Sequence, residues 1–183
     1  MNAIIGMLNL LIRTDLNTTQ KEYITSIKQS SKILLGIIND ILQASSIKNN
    51  TLSFEQERFS LKALTKNLYE MLEHKVADKN VILHFEMGDD LPDVLWGDQL
   101  RLNQILYNLL GNAVKFTEKG SVNLKVNKLC ETAEEVSLKF SVEDTGIGIP
   151  KDKLDVIFQP FTRVDQKGRL YEGTGLGLAI VKN

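Results

Sequence analysis

The sequence has few of the residues that mark several common classes of protein. It holds one cysteine, Cys130, and two histidines among 183 residues. A single cysteine excludes a disulfide within the chain and fits a reducing compartment, so we expect a cytoplasmic protein. The formal net charge is −1, which provides no overall field to attract nucleic acid or an anionic membrane.

Long apolar runs are missing too. No stretch approaches the roughly 20 apolar residues that a membrane span requires. Residues Met1 to Leu11 lack the basic start and the cleavage site of a secretory signal. Any attachment to a membrane would therefore depend on segments outside this sequence. With 43% hydrophobic and 25% charged residues, the composition is that of a globular protein with one domain or two small ones.

The first 48 residues have the pattern of two helices joined by a turn. Apolar residues recur at helical spacing up to Ile12, and Thr19 to Glu22 predicts a capping box that begins the second helix. That helix carries a heptad seam with spacings of three and four: Ile24, Ile27, Ser31, Leu34, Ile38, Ile41 and Ser45. Two helices cannot cover so broad an apolar face, so we expect a homodimer with a four-helix bundle. The alternative is a monomeric hairpin packed on the rest of the chain.

Residues 49–59 are polar and predict a linker, in which Leu52 and Phe54 favour a short edge strand. Ser60 is placed to cap a helix that runs to about Asp78. The expected inward residues of this helix share helical spacing: Leu61, Leu64, Leu68, Met71, Leu72 and Val76.

A strand is predicted next, because Val81, Leu83 and Phe85 alternate with a second set of residues, Ile82, His84 and Glu86. The two histidines, His74 and His84, have neither metal-ligand spacing nor an acidic neighbour. We therefore expect both histidines to be structural.

Residues 98–116 predict an amphipathic helix with an unusual polar side. Its polar residues lie three or four apart: Arg101, Gln104, Asn108, Asn112 and Lys115. Asparagine is a poor helix former, and a solvated face is more often built from Glu, Lys and Gln. An amide oxygen suits Mg²⁺, and the ammonium of Lys115 suits phosphate as a point charge. The stripe therefore favours a Mg²⁺-polyphosphate platform over a simple solvated face.

Gly120 is expected to end that helix. The strand from Val122 to Val126 is then expected to pair antiparallel with a strand that ends at Asp144. A short helical piece is predicted at residues 153–158, and the polar run at 162–172 has the character of a mobile lid.

Two glycine-rich loops frame the second half of the chain. The first, D-T-G-I-G-I-P at residues 144–150, places a carboxylate at the end of a strand. Glycine permits close backbone approach, and the carboxylate of Asp144 suits an exocyclic amino group such as that of adenine. The second loop, Gly173 to Gly177, opens a helix and offers N–H groups to anions. Its G-x-G-x-G spacing is neither a dinucleotide fingerprint nor a P-loop.

Four of these segments, in order, resemble the ATP-binding motifs of sensor histidine kinases of two-component systems. Asn108–Thr117 is similar to the N box of that family, and Asp144–Pro150 to its first glycine box. Phe158–Phe161 is similar to the F box, and Gly173–Leu178 to the second glycine box. The resemblance covers essentially the whole chain.

The resemblance implies an α+β fold in three parts. Residues 1–48 would form the dimerisation and histidine-phosphotransfer hairpin, and residues 49–59 the linker and edge strand. Residues 60–183 would form an ATP-binding α/β sandwich with a mixed, largely antiparallel sheet. Gyrase and heat-shock chaperone ATPases share the fold of this last part.

By matching position, the resemblance also implies ATP and Mg²⁺ as ligands. Asn108 would bind Mg²⁺, Asn112 and Lys115 would hold phosphates, and Arg163 would reach the γ-phosphate. Asp144 would take the adenine amino group. The other matching positions would shape the nucleotide pocket or its lid: Phe116, Gly146, Gly148, Phe158, Phe161, Gly173, Gly175, Gly177 and Leu178. The implied partners are a second copy of the chain and the receiver domain of a response regulator.

The sequence departs from the family pattern at both ends. Met1 to Gly6 resembles the segment immediately after the phosphoacceptor box, H-E-[LIM]-R-T-P, so the acceptor histidine would lie upstream. The chain stops six residues after the second glycine box, ahead of the closing strands expected of the fold. We therefore expect a fragment that binds ATP and dimerises but does not phosphorylate itself.

Two other functions are compatible with the ATP motifs. Related ATPases carry a water-activating glutamate four residues before the metal-binding asparagine, where this chain has Gln104. A glutamine cannot act as that base, which favours transfer to histidine over ATP hydrolysis. The second alternative, a nucleotide-binding pseudokinase, would require that the acceptor box be absent upstream.

Overall fold

The computed structural model describes residues 2–48, 54–160, 162, 175 and 177–182. Helices α1 (Asn2–Leu11) and α2 (Thr18–Lys48) form the predicted hairpin. The predicted capping box at Thr19 is wrong by two residues. Instead, Asn17 Oδ1 accepts from the Gln20 amide at 2.9 Å, and Gln20 Oε1 accepts from the Asn17 amide at 3.0 Å. Asparagine is at least as good an N-cap as threonine. The helix therefore begins directly after Asn17, which forms reciprocal capping hydrogen bonds with Gln20.

A two-stranded sheet forms from β1 (Glu57–Ser60) and β3 (Val94–Gly97), which pair antiparallel with Arg58 opposite Trp96. The sequence placed an edge strand at Leu52 and Phe54 instead, and it did not predict β3. Leu52 lies outside the described residues, and Phe54 is irregular and exposed. The strand forms later in the chain, where Phe59 can bury its side chain in the core.

Helix α3 (Leu61–Val76) follows β1 directly. Ser60 Oγ accepts from the Ala63 amide at 3.2 Å, which confirms the predicted cap. The inward residues are buried as predicted except Met71, whose side chain remains 50% exposed. Met71 lies about 90° around the helix from the centre of the buried stripe, so it falls at the margin of the core.

The main sheet has three strands in the order β2-β4-β5: β2 (Asn80–Met87), β4 (Lys119–Glu131) and β5 (Val136–Asp144). The β2–β4 pairing is parallel, and the predicted β4–β5 pairing is antiparallel with Val122 opposite Asp144. Helix α4 (Gln99–Phe116) ends at Phe116, and Gly120 lies inside β4 with φ = 124°. The prediction that Gly120 ends the helix is therefore wrong.

One face of α4 is fixed by burial against α3 and the sheet. Leu106 and Leu110 are almost fully buried, as are Val122, Leu124 and Val126 of β4. Full burial of each such side chain contributes about 1.5–3 kcal/mol, so the rotation of α4 about its axis is strongly determined.

After β5 the chain makes a 3₁₀ turn at Lys151–Lys153 and continues in turns to residue 160. The sequence predicted a short helix at residues 153–158, but beyond Lys153 the structure has turns there. Helix α5 (Gly177–Lys182) contacts both α4 and α2. The predicted lid at 162–172 lies outside the described residues apart from Thr162. Within the described part of the chain, no helix combines the length and the apolar character needed to cross a membrane.

Candidate functional site

The polar stripe of α4 is half-buried rather than open to solvent. Asp98 begins the helix, and its Oδ1 accepts from the Arg101 amide at 2.9 Å. Because the opposite face of α4 is fixed in the core, the polar side chains of the stripe can only extend from the other side of the helix. All of them are partly covered: Arg101, Gln104, Asn108, Asn112 and Lys115.

Asn108 joins the stripe to the start of α5. Its Nδ2 donates to the carbonyl of Gly177 at 3.4 Å. A Cβ placed on Gly177 would lie 3.5 Å from Asn108 Cγ, so the helix start leaves little space beside the Asn108 side chain. Because the amide nitrogen is the donor, the amide oxygen keeps its acceptor capacity, and oxygen is the ligand that Mg²⁺ prefers.

Asp144 begins the first glycine loop at the end of β5. Its Oδ1 accepts from the Gly146 amide at 2.8 Å, and its side chain is exposed. An ionised carboxylate has about four lone-pair positions, so this internal bond leaves acceptor capacity for a further donor.

The same loop is packed on the C-terminal end of α4. The Ile147 amide donates to the Phe116 carbonyl at 3.3 Å. A Cβ on Gly146 would lie 2.5 Å from that carbonyl oxygen, a distance that side chains do not adopt. Only glycine allows this approach. Gly148 has φ = 69°, in the left-handed region that glycine also favours.

Two ammonium–aromatic contacts occur at the edges of the site. Lys115 Nζ lies 4.6 Å from the ring centroid of Phe116, and Lys182 Nζ lies 5.6 Å from that of Phe158. Both are within cation–π range. The second contact brings Phe158 next to α5, where Leu178 is half-buried.

Together, these contacts place the first glycine loop and Gly177, the last residue of the second loop, at two points along one helix. Asn108 and Phe116 are eight residues apart, or about 12 Å along α4. Gly177 meets the first of these residues and Gly146 the second. Asn112 and Lys115 lie between them in sequence, and Gly175, with φ = 73°, precedes α5. The predicted site residues Phe161, Arg163 and Gly173 lie outside the described residues.

Two residues beside the site were not predicted from the sequence. Lys79 Nζ donates to the carbonyls of Val114 at 2.7 Å and Thr117 at 3.4 Å, and so holds the C-terminal end of α4. The Thr117 hydroxyl is buried, with no hydrogen-bond partner in the described residues. Lys79 contacts residues 35 and 38 positions away, and no local pattern marks such a contact.

A cluster of acidic or histidine ligands is absent from the described part of the site. Among the described residues, no three or more His, Cys, Asp or Glu side chains are grouped to hold a metal ion. The amide-rich stripe fits Mg²⁺, which commonly uses one or two protein oxygens together with substrate phosphates.

Two family models match the chain. Residues 97–183 match the family described as histidine kinase-, DNA gyrase B- and HSP90-like ATPase, and residues 1–50 match the His Kinase A (phospho-acceptor) domain.

Similar proteins include hybrid signal transduction histidine kinase L of Dictyostelium discoideum, 43% identical over 100% of this chain and 11% of that protein. Signal transduction histidine-protein kinase BarA of Escherichia coli K12 is 38% identical over 100% of this chain and 20% of BarA. The chain thus spans a tenth to a fifth of the length of these curated relatives.

The chain is also similar to solved structures of histidine kinases. Full-length ShkA, determined in complex with AMPPNP, is 32% identical with a TM-score of 0.80, over 99% of this chain and 36% of ShkA. The catalytic domain of histidine kinase ThkA is 30% identical with a TM-score of 0.53, over 69% of this chain and 78% of that domain.

Proposed function

Because the chain belongs to the sensor histidine kinases of two-component systems, we propose that it binds ATP with Mg²⁺ and transfers the γ-phosphoryl group to a histidine of the dimerisation hairpin. From there the group would pass to an aspartate of a response regulator. One observation carries this proposal: a single helix, α4, contacts both glycine loops, through Asn108 with Gly177 and Phe116 with Gly146.

The base end of the proposed site is the junction of α4 with the first glycine loop. Asp144 would accept from the adenine amino group, with Phe116 beside the base or ribose. Gly146 and Gly148 have no side chains, so the loop would leave space for a flat ligand to pack against its main chain. The exposed carboxylate of Asp144, already bonded once within its loop, supports this assignment.

The phosphate end would be the stripe from Asn108 to Lys115. Asn108 would hold Mg²⁺, while Asn112 and Lys115 would hold phosphate oxygens. When bound, Mg²⁺ neutralises negative charge on the phosphates and orients them. In phosphoryl transfer most of the rate comes from positioning and charge stabilisation, so this chain's residues need supply no covalent chemistry.

The remaining residues would close the site. We assign Arg163 to the γ-phosphate, and Gly173, Gly175 and Gly177 to the hinge of a lid over the phosphates. Phe158, Phe161 and Leu178 would line the lid's inner side. The contact of α5 with both α4 and α2 supports transfer towards the hairpin, because it brings the end of the second glycine loop next to the helices of residues 1–48.

We also propose that residues 1–48 form a homodimer and that residues 60–183 are the catalytic domain, joined by residues 49–59. In the single chain, Ile24 and Ser31 of the seam are buried, but Ile27, Leu34 and Ile38 are 38–49% exposed. An open groove of about 320 Å³ lies between the hairpin helices. A second hairpin would cover this apolar surface and complete a four-helix bundle.

The decisive experiment supplies the acceptor. Residues 1–183 with Mg²⁺ and γ-labelled ATP should gain no stable label, because His74 and His84 lie on α3 and β2, outside the hairpin. A variant extended ahead of Met1 by the family's H-E-x-R-T-P box, and after Asn183 by the closing strands expected of the fold, should become labelled, with the acid-labile, base-stable behaviour of phosphohistidine.

Two controls complete this experiment. The extended chain with alanine in place of the box histidine should stay unlabelled. Asn108→Ala in the extended chain should abolish labelling and leave dimerisation unchanged, because the seam and the site lie in separate segments. Steady release of inorganic phosphate without label would establish the hydrolase alternative and refute the argument from Gln104. Nucleotide binding without either reaction would refute the proposed transfer to histidine.

A further inference from the structure

The first glycine loop is anchored to β4 by the side chain of Thr145. The Thr145 amide donates to the Ser121 carbonyl at 3.1 Å, which continues the β4–β5 ladder by one pair. The return bond is different, because the Ser121 amide donates to Thr145 Oγ1 at 2.9 Å instead of to a main-chain carbonyl. The hydroxyl thus replaces the Thr145 carbonyl, and the main chain can leave the sheet immediately after Asp144.

Gly120 makes room for this anchor. Its φ is 124°, and a Cβ at this position would overlap the Thr145 hydroxyl. A side chain at residue 120 would therefore be strained in the main chain and would also displace Thr145. The threonine and the glycine act as one unit, although they lie 25 positions apart in the sequence.

Asp144 is held between this anchor and the end of α4. On one side Thr145 is bonded to Ser121, and on the other the Ile147 amide is bonded to the Phe116 carbonyl. Within the loop, the Gly146 amide fixes one carboxylate oxygen of Asp144 at 2.8 Å. The position of an otherwise exposed carboxylate is therefore set by the three residues that follow it, each of which is hydrogen-bonded: Thr145, Gly146 and Ile147.

We propose that Thr145 is a positioning residue for base recognition: its bond to Ser121, in the space left by Gly120, holds Asp144 where it selects a 6-amino purine. The inference rests on the proposed function, in which Asp144 reads the adenine amino group. Without the hydroxyl, the loop would still permit a nucleotide to bind, but the carboxylate would no longer be aimed at one position.

The test compares ATP with purine riboside triphosphate, which lacks the 6-amino group, by calorimetry on the whole chain with Mg²⁺. The parent should prefer ATP by about ten- to a hundredfold, the value of one hydrogen bond to a charged acceptor. Thr145→Val, which keeps the shape but removes the hydroxyl, should reduce this preference to less than about threefold by weakening ATP alone. Thr145→Ser should restore the preference.

Gly120→Ala provides an independent route to the same result, since it displaces the hydroxyl without changing Thr145. Thermal unfolding identifies which variants are folded, and Thr145→Ala serves if Thr145→Val does not fold. Loss of the preference with retained binding of the analogue supports the proposal. An unchanged ratio of the two affinities in the folded variants overturns it, because a purely structural role would weaken both nucleotides equally. A parent chain without any preference would instead refute the assignment of Asp144.

Discussion

Asp98 uses both of its carboxylate oxygens to join two segments that lie 43 residues apart. Oδ1 accepts from the Arg101 amide at 2.9 Å and caps α4, while Oδ2 accepts from the Glu55 amide at 3.2 Å. Glu55 lies in the segment that leads from the hairpin to β1. The start of the helix that carries the candidate site is therefore bonded to the connection between the two parts of the chain.

The two bonds of Asp98 can be separated by substitution. Asp98→Ala should lower the unfolding free energy by about 1–3 kcal/mol, because it removes a cap and a second hydrogen bond. Asp98→Ser keeps a capping oxygen and loses only the bond to Glu55, so its loss should be smaller, about 0.5–1.5 kcal/mol. Urea unfolding measures both, and equal stability of the two variants would contradict the double role.

Lys79 should stabilise the other end of α4. Lys79→Met removes an ammonium group that donates to the carbonyls of Val114 and Thr117. We expect a loss of about 1 kcal/mol, since a cation at a helix C-terminus satisfies end carbonyls and complements the helix dipole. Lys62→Met, at an exposed position of α3, is the matched control and should stay within about 0.5 kcal/mol of the parent. Similar losses in both variants would refute the capping role.

Gly146 and Gly111 should respond in opposite ways to the same change. Gly146→Ala would bring a Cβ to 2.5 Å from the Phe116 carbonyl oxygen, so the loop must move away from α4 and nucleotide affinity should fall. Gly111→Ala meets no atom within 4 Å inside α4. It should stabilise the chain by about 0.5–1 kcal/mol through helix propensity. Calorimetry and thermal unfolding test the pair; full nucleotide affinity in Gly146→Ala would remove this contact from the site.

Asp144→Asn should weaken ATP binding much more than it weakens folding. The substitution keeps an oxygen that can accept from Gly146 but removes the charge, and it replaces the second oxygen by a donor. Loss of a hydrogen bond to a charged acceptor corresponds to about ten- to a hundredfold in affinity. Equal ATP affinities of the variant and the parent, measured by calorimetry, would exclude Asp144 from base recognition.

Ile38→Glu should disrupt the proposed dimer. Ile38 is 38% exposed in the single chain and lies on the heptad seam, so a second hairpin would bury the new carboxylate without a partner. An unpaired buried charge costs several kcal/mol, enough to dissociate a modest interface. Gln29→Glu adds the same charge at an exposed polar position of α2 and should leave the dimer intact. Light scattering that finds the parent monomeric at high micromolar concentration would refute the dimer.

The sequence by itself determined those features that depend on neighbours a few residues apart. Helix α4 has a 3.6-residue apolar period and glycine only at Gly111, so an amphipathic helix was predicted at residues 98–116, where α4 forms. Its stop signal was not read correctly, because Gly120 lies four residues beyond the end of the helix. Strand β5 was predicted in the same way, from the alternation of apolar and polar residues within it and the carboxylate at its end. The four nucleotide motifs are also local strings, which is why the family could be identified from them.

Tertiary structure decided what depends on contacts between distant segments. Strand β3 is short, and its Val94 and Trp96 remain exposed. It forms because it pairs with β1, a segment far away in the chain, and because Leu95 packs against the core. Gly120 has the local character of a helix stop, yet its actual role is to leave space for Thr145. Sequence patterns report the period of one element, whereas steric fit between two elements exists only after both have been brought together.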